Sequence, residues 1–161
     1  MKNTELRKAK DRASIERLVG DIMADSRVKR MDTFRQHGRV STYEHCERVT
    51  ECSYRLNRRL HLGADEKALL TGAMLHDFYL YDWHRTDGYV HRWHGFRHAE
   101  WARRNAVRYF DVGQPVQDII RTHMWPLNLI SIPRSREAWI VTLADKYCAA
   151  VESLCMRKKK V

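Results

Sequence analysis

Apolar side chains recur along this chain at spacings of three and four, the period of a helix lying on a core. No stretch alternates strictly with β-branched residues, as a half-buried strand would, so the pattern predicts an all-α fold. After a polar start, Ile15, Leu18, Val19 and Ile22 form the apolar face of a first amphipathic helix over 14–25, and a shorter helix is expected around 28–36. Ser41 and Glu44 have the spacing of a capping box. Behind them His45, Val49, Cys52, Leu56 and Leu60 share one stripe of a helix that should end near Gly63. Asp65 and Glu66 suit the positive end of the next helix, whose run 68–75 is almost wholly apolar and closes on His76 and Asp77.

Residues 78–93 have no period and are rich in aromatic rings, so they are expected to form a long ordered loop of the kind that tends to carry function. His94 and Gly95 lead into a helix running to about 110. Pro115 fits the first turn of another, with Val116, Ile119, Ile120 and His123 on one face. Ser135 can cap a last helix in which apolar residues surround Asp145 on most sides, and such a helix should be central.

With 161 residues, 43% hydrophobic and 31% charged, and ten Gly and Pro together, the chain reads as one globular domain. We divide it into a basic N-terminal segment (1–13), an all-α domain (14–156) and a basic C-terminal tail (157–161). No apolar run has membrane-span length and the first twelve residues are charged, which predicts a cytoplasmic protein with no membrane partner. The four cysteines form no C-x-x-C and are expected to be reduced thiols. The net charge is +10, but the two tails carry seven of those charges. The body is then ordinary, and a nucleic-acid partner is not expected. Oligomeric state is left open.

What changes the picture is where the histidines and aspartates fall. A His-Asp dipeptide alone means little, since chance supplies roughly 0.6 in a chain of this composition. Here, however, His45, His76, Asp77, His123 and Asp145 all sit on faces otherwise reserved for apolar residues, where a carboxylate is costly unless paired or bound to a cation. Five histidines, at 76, 84, 91, 94 and 98, also crowd into 23 residues. Imidazoles and carboxylates converging from several helices make a nitrogen and oxygen cage suited to iron, manganese, cobalt or zinc.

The ordered set in Y-E-H-C-E-R-V, G-A-M-L-H-D, H-G-F-R-H-A, I-I-R-T-H-M and T-L-A-D-K-Y resembles the HD-domain superfamily of metal-dependent phosphohydrolases over roughly 41–152. The resemblance implies a single-domain HD-type helical bundle with His45, His76, Asp77 and Asp145 on one metal. His94 and His123 look like those of the six-ligand branch, in which a second metal is held and Asp77 bridges the two. His94 precedes Gly95 at a helix entrance and is the preferred ligand. His98 lies one turn further on, and is assigned to supporting the ligands or facing substrate. The commonest HD motif has a lysine three residues past the aspartate, whereas this chain has Leu80.

Two divalent cations, two aspartates and a hydroxide would leave the centre near +1, a charge that attracts phosphate. The expected activity is hydrolysis of a phosphoester or phosphoanhydride by metal-activated hydroxide, with Asp77 and Lys146 as the catalytic residues. Lys146, Arg97, His98 and Arg121 are the candidate substrate contacts. A small phosphorylated metabolite is the expected substrate, and the rings at 79, 81, 83, 89 and 93 would suit a nucleobase. Two other readings share these residues: a mixed-valent di-iron oxygenase of the same fold, and a binding module without catalysis.

Overall fold

The computed structural model of the chain describes residues 2–37, 39–82 and 94–157, the side chains of 2, 3, 37, 94 and 155–157 excepted. In order these form α1 (Lys2–Ala24), α2 (Ser26–Lys29), a 3-10 turn (Arg30–Thr33), β1 (Arg35–His37), β2 (Val40–Ser41), α3 (Thr42–Arg59), α4 (Glu66–Leu75), α5 (His94–Phe110), α6 (Gln114–Thr122) and α7 (Arg136–Arg157). The helix starts follow from local chemistry. Ser41 Oγ accepts the Glu44 amide at 3.1 Å while Glu44 Oε2 accepts the Ser41 amide at 3.1 Å, completing the capping box of α3. Asp65 accepts the Ala68 amide at 2.9 Å and opens α4. Pro115 lies in the first turn of α6, and Ser135 accepts the Ala138 amide at the start of α7.

Three expectations need correction. The first helix starts at Lys2 rather than at 14, because the exposed Leu, Lys, Arg, Ala and Glu residues there are good helix formers that continue α1. The segment 28–36 is not one helix. Phe34 turns to extended backbone (φ −104°, ψ 135°), and Arg35–His37 then pairs antiparallel with Val40–Ser41. The third concerns which helix is central. That place belongs to α4, which packs against α1, α3, α5, α6 and α7 and buries every residue from Leu69 to Leu75. Gly72 permits this packing, since a Cβ there would stand 2.6 Å from Ile119 Cγ2 of α6. Helix α7 covers α3, α4 and α6 with one face and leaves Trp139, Leu143 and Tyr147 exposed on the other.

Among the described residues no helix is long and apolar enough to cross a membrane. Of the aromatic segment, Phe78 and Tyr79 are buried, whereas 83–93, with Trp83, His84, Tyr89, His91 and Trp93, lies outside the described residues. So do 158–160 of the basic tail.

Candidate metal centre

Helix α3 delivers His45 into the core one turn after its cap, where the ring lies between two carboxylates of α7. His45 Nε2 is 3.1 Å from Asp145 Oδ1, and Nδ1 is 2.9 Å from Glu152 Oε2. Glu152 is buried and also accepts a bond from Arg48 at 3.1 Å. Burial alone would drive the His45 proton off, but hydrogen bonds to the two carboxylates outweigh it and raise its pKa to about 10. Burial pushes Asp145 upward, yet the bond with His45 and the nearby His76, His123 and Lys146 hold it well below the carboxylate range.

Helices α4 and α6 each end on a histidine, and both use the same device. His76 Nδ1 donates to the Ala73 carbonyl at 2.7 Å, and His123 Nδ1 donates to the Ile120 carbonyl at 2.7 Å. A carbonyl of the last turn thus fixes the tautomer and turns the Nε2 lone pair inward. For His76 burial is the main influence, and its pKa falls to about 4. The ring is therefore neutral at neutral pH, as a ligand must be.

Asp77 follows His76 and is oriented from the opposite side. Gln36 Nε2 of β1 donates to Asp77 Oδ2 at 2.5 Å, while Tyr79 Oη donates to Gln36 Oε1 at 2.6 Å. With Oδ2 so held, Oδ1 faces His98 Nε2 at 3.3 Å and His123 Nε2 at 3.5 Å, and those two ring nitrogens are 3.0 Å apart. Burial opposes ionisation of Asp77, but the surrounding His76, His123 and His98 hold its carboxyl well below its usual value.

Two atoms at the middle of this arrangement, His76 Nε2 and Asp77 Oδ1, are buried without a hydrogen-bond partner. Orphaned polar atoms of this kind are costly in a dry interior unless a cation meets them. Two groups, His45 with His76 and Asp145, and His76 with Asp77 and His123, each offer ligand atoms within 4.8 Å of one another. Imidazoles held in place beside ionised carboxylates are the donor set that divalent transition metals take, His76 already neutral and His45 giving up its proton to the ion. The residues fit.

Of the residues expected at the site, the fold brings together His45, His76, Asp77, His123 and Asp145, and adds His98 to them. His94 opens α5, but its side chain lies outside the described residues. Lys146 Nζ bonds Asp145 Oδ2 at 2.7 Å and the His123 carbonyl at 3.1 Å, which fixes it at the rim. Arg97 is exposed on α5, and Arg121 is exposed and bonded to Asp118 of its own helix at 2.9 Å. Leu80 takes φ 60° and packs against the core, so no ammonium stands where the common motif has one. Sequence reasoning missed Gln36 and Glu152, and it set Tyr79 against a nucleobase, whereas the ring is buried with its hydroxyl on Gln36. Only Glu152 left a trace, its spacing of seven from Asp145 on the inward stripe of α7.

The HD-domain family model matches residues 42–150, about two-thirds of the chain, and spans His45, His76, Asp77, His98, His123 and Asp145. No curated protein and no solved structure matches the chain.

Proposed function

The chain belongs to the HD-domain family, and from that premise we propose that it is a metal-dependent phosphohydrolase with two divalent transition ions, acting on a small phosphorylated metabolite such as a nucleotide. The observation that carries this reading is the pair of orphaned atoms, His76 Nε2 and Asp77 Oδ1, at the meeting point of two ligand groups. His45, His76 and Asp145 would hold one ion. His123 and His98 would hold the other, with Asp77 shared, and His94 is the competing ligand for the second. Iron, manganese, cobalt and zinc all suit these donors. When bound, such ions supply Lewis acidity to a phosphoryl oxygen and make hydroxide available from water near neutral pH.

The chain's own residues then have separable tasks. Gln36 and Tyr79 orient Asp77, and Glu152 orients His45. The carbonyls of Ala73 and Ile120 keep His76 and His123 in the tautomer that presents Nε2. Lys146, anchored on Asp145 but partly exposed, is placed to neutralise a phosphate oxygen.

The test is elemental analysis of protein purified without chelator, followed by a phosphoester panel assayed anaerobically with manganese or cobalt. Near two equivalents of metal and anaerobic phosphate release are expected. Metal content that stays near zero after add-back overturns the reading. So does substrate loss tied to oxygen uptake with no phosphoester cleaved, which would favour the di-iron oxygenase.

A further inference from the structure

Helix α7 is apolar on both faces, with Ile140, Val141 and Ala144 in the core and further apolar residues turned outward. Between 139 and 154 its charged residues are Asp145, Lys146 and Glu152. Asp145 and Glu152 turn inward onto His45, and Lys146 bonds Asp145 and the His123 carbonyl. The outward face is left to Trp139, Leu143, Tyr147, Val151 and Leu154, with Leu143 56% and Tyr147 64% exposed. This stripe is bordered by Leu60, the residue that caps the C-terminus of α3 and is 61% exposed, across a groove shared with Tyr147 and lined also by Arg48, Arg55 and Arg59. At its Trp139 end it meets the connection from α6 through an edge contact with Trp125, and that connection exposes Leu129 and Ile130, the latter at 94%.

We propose that this face is a homodimer interface, in which α7 packs antiparallel against α7 of a second copy about a two-fold axis near Tyr147. Three observations favour a second copy. The area is right: these fractions leave on the order of 1,000 Å² of apolar surface open, above the roughly 300–600 Å² of the largest patch on a typical monomer and the about 800 Å² each partner gives a standard interface. The spacing is self-complementary. Leu143 and Val151 lie four residues either side of Tyr147, and Trp139 and Leu154 lie eight and seven, so a two-fold sets each against its counterpart. Finally, the cations beside the stripe are mostly paired within the chain: Lys146 with Asp145, Arg48 with Glu152, and Arg55 with Glu51 and Asp11. A chain of net charge +10 can therefore meet its own copy here with most of the bordering cations already neutralised.

The inference is independent of the proposed chemistry, and its test reads mass. Sedimentation velocity of the whole chain between about 1 and 100 μM should give twice the 19.2 kDa chain mass. Leu143→Glu should weaken dimerisation at least a hundredfold while far-UV circular dichroism and metal content stay as in the parent. Tyr147→Cys should form a disulfide-linked dimer on mild oxidation, and Lys8→Cys, on exposed α1, should not. A chain that sediments at single-chain mass throughout overturns the proposal, whether or not it binds anionic vesicles. A dimer that survives Leu143→Glu and fails to cross-link through Tyr147→Cys overturns it equally.

Discussion

In one half of the buried cluster His45 lies between Asp145 and Glu152, with Lys146 on Asp145, so every charge already has a partner. In the other half Asp77 Oδ1 has no hydrogen bond, and the Nε2 atoms of His98 and His123 approach to 3.0 Å. His76 joins the two, 3.8 Å from Asp145 and 3.6 Å from Asp77. The difference separates two ways of preparing a metal site. The first half keeps its shape through internal ion pairs, and an ion entering it must displace a proton. The second is shaped from outside, by Gln36 and the Ile120 carbonyl, which turn Asp77 Oδ1 and His123 Nε2 towards the same point.

The largest effect should come from the residue shared by the two ions. Asp77→Asn keeps the side-chain volume but removes the negative charge. It should lower phosphate release by about 1,000-fold or more, the several kcal/mol expected of lost charge stabilisation at a metal site. Metal content should fall towards one ion or fewer. Turnover within tenfold of the parent would show that the halves do not depend on a common carboxylate. Paired assays of His94→Ala and His98→Ala should show loss of the second ion in His98→Ala; the reverse result would restore His94 as the ligand.

Next in size is an effect confined to the first half. Glu152→Gln leaves His45 a neutral partner, and losses of this kind typically weaken metal binding by about 10- to 100-fold. Elemental analysis after graded chelation should show the first ion leaving early, while the second is held within about threefold of its normal affinity. Equal loss of both would mean that the halves are one site.

Smaller again is the effect of pH, and its sign follows from the two histidines. His45, raised to about 10, keeps its proton at neutral pH in the metal-free chain. Its contribution to stability is full below the ordinary histidine value near 6.5 and is lost as pH rises through about 10. An ion in the first half must expel that proton, so its affinity should rise about tenfold per pH unit between 7 and 9. His76, lowered to about 4, adds no such dependence there. Calorimetry in buffers of different ionisation enthalpy should register nearly one proton released. Release of none would contradict the ion-paired reading of His45.

The sequence displayed these halves unequally because its signals are local. Capping by Ser41, Asp65 and Ser135 acts within three residues, and the helical period placed His45, His76, His123 and Asp145 on core faces without any tertiary knowledge. Gln36 meets Asp77 across 41 positions and Glu152 meets His45 across 107, and no spacing rule spans such distances. The strands β1 and β2 have three and two residues, too few to show a period of two. That α7 is apolar nearly all round was legible. Which face would meet its own fold was not, because periodicity does not say what lies opposite.

The smallest effect tests whether the halves are mechanically joined through α4 and α6. Gly72 and Ile119 bring these helices together just before His76 and His123, whose ring centroids lie 4.9 Å apart. In Gly72→Ala the new Cβ would meet Ile119 Cγ2 at 2.6 Å and Cδ1 at 2.8 Å, and Ile119 is fully buried. Overpacking of this kind costs about 1–3 kcal/mol, whereas replacing a mid-helix glycine by alanine returns about 0.5–1 kcal/mol. Overpacking wins, and a net loss of about 0.5–2 kcal/mol should lower Tm by roughly 1–8 °C for a chain of this size. Because the strain separates His76 from His123, the second ion should weaken more than the first, whose His45 and Asp145 come from α3 and α7. A Tm at or above that of the parent, with both ions retained, would mean that α4 and α6 have room to spare and that this contact does not join the halves.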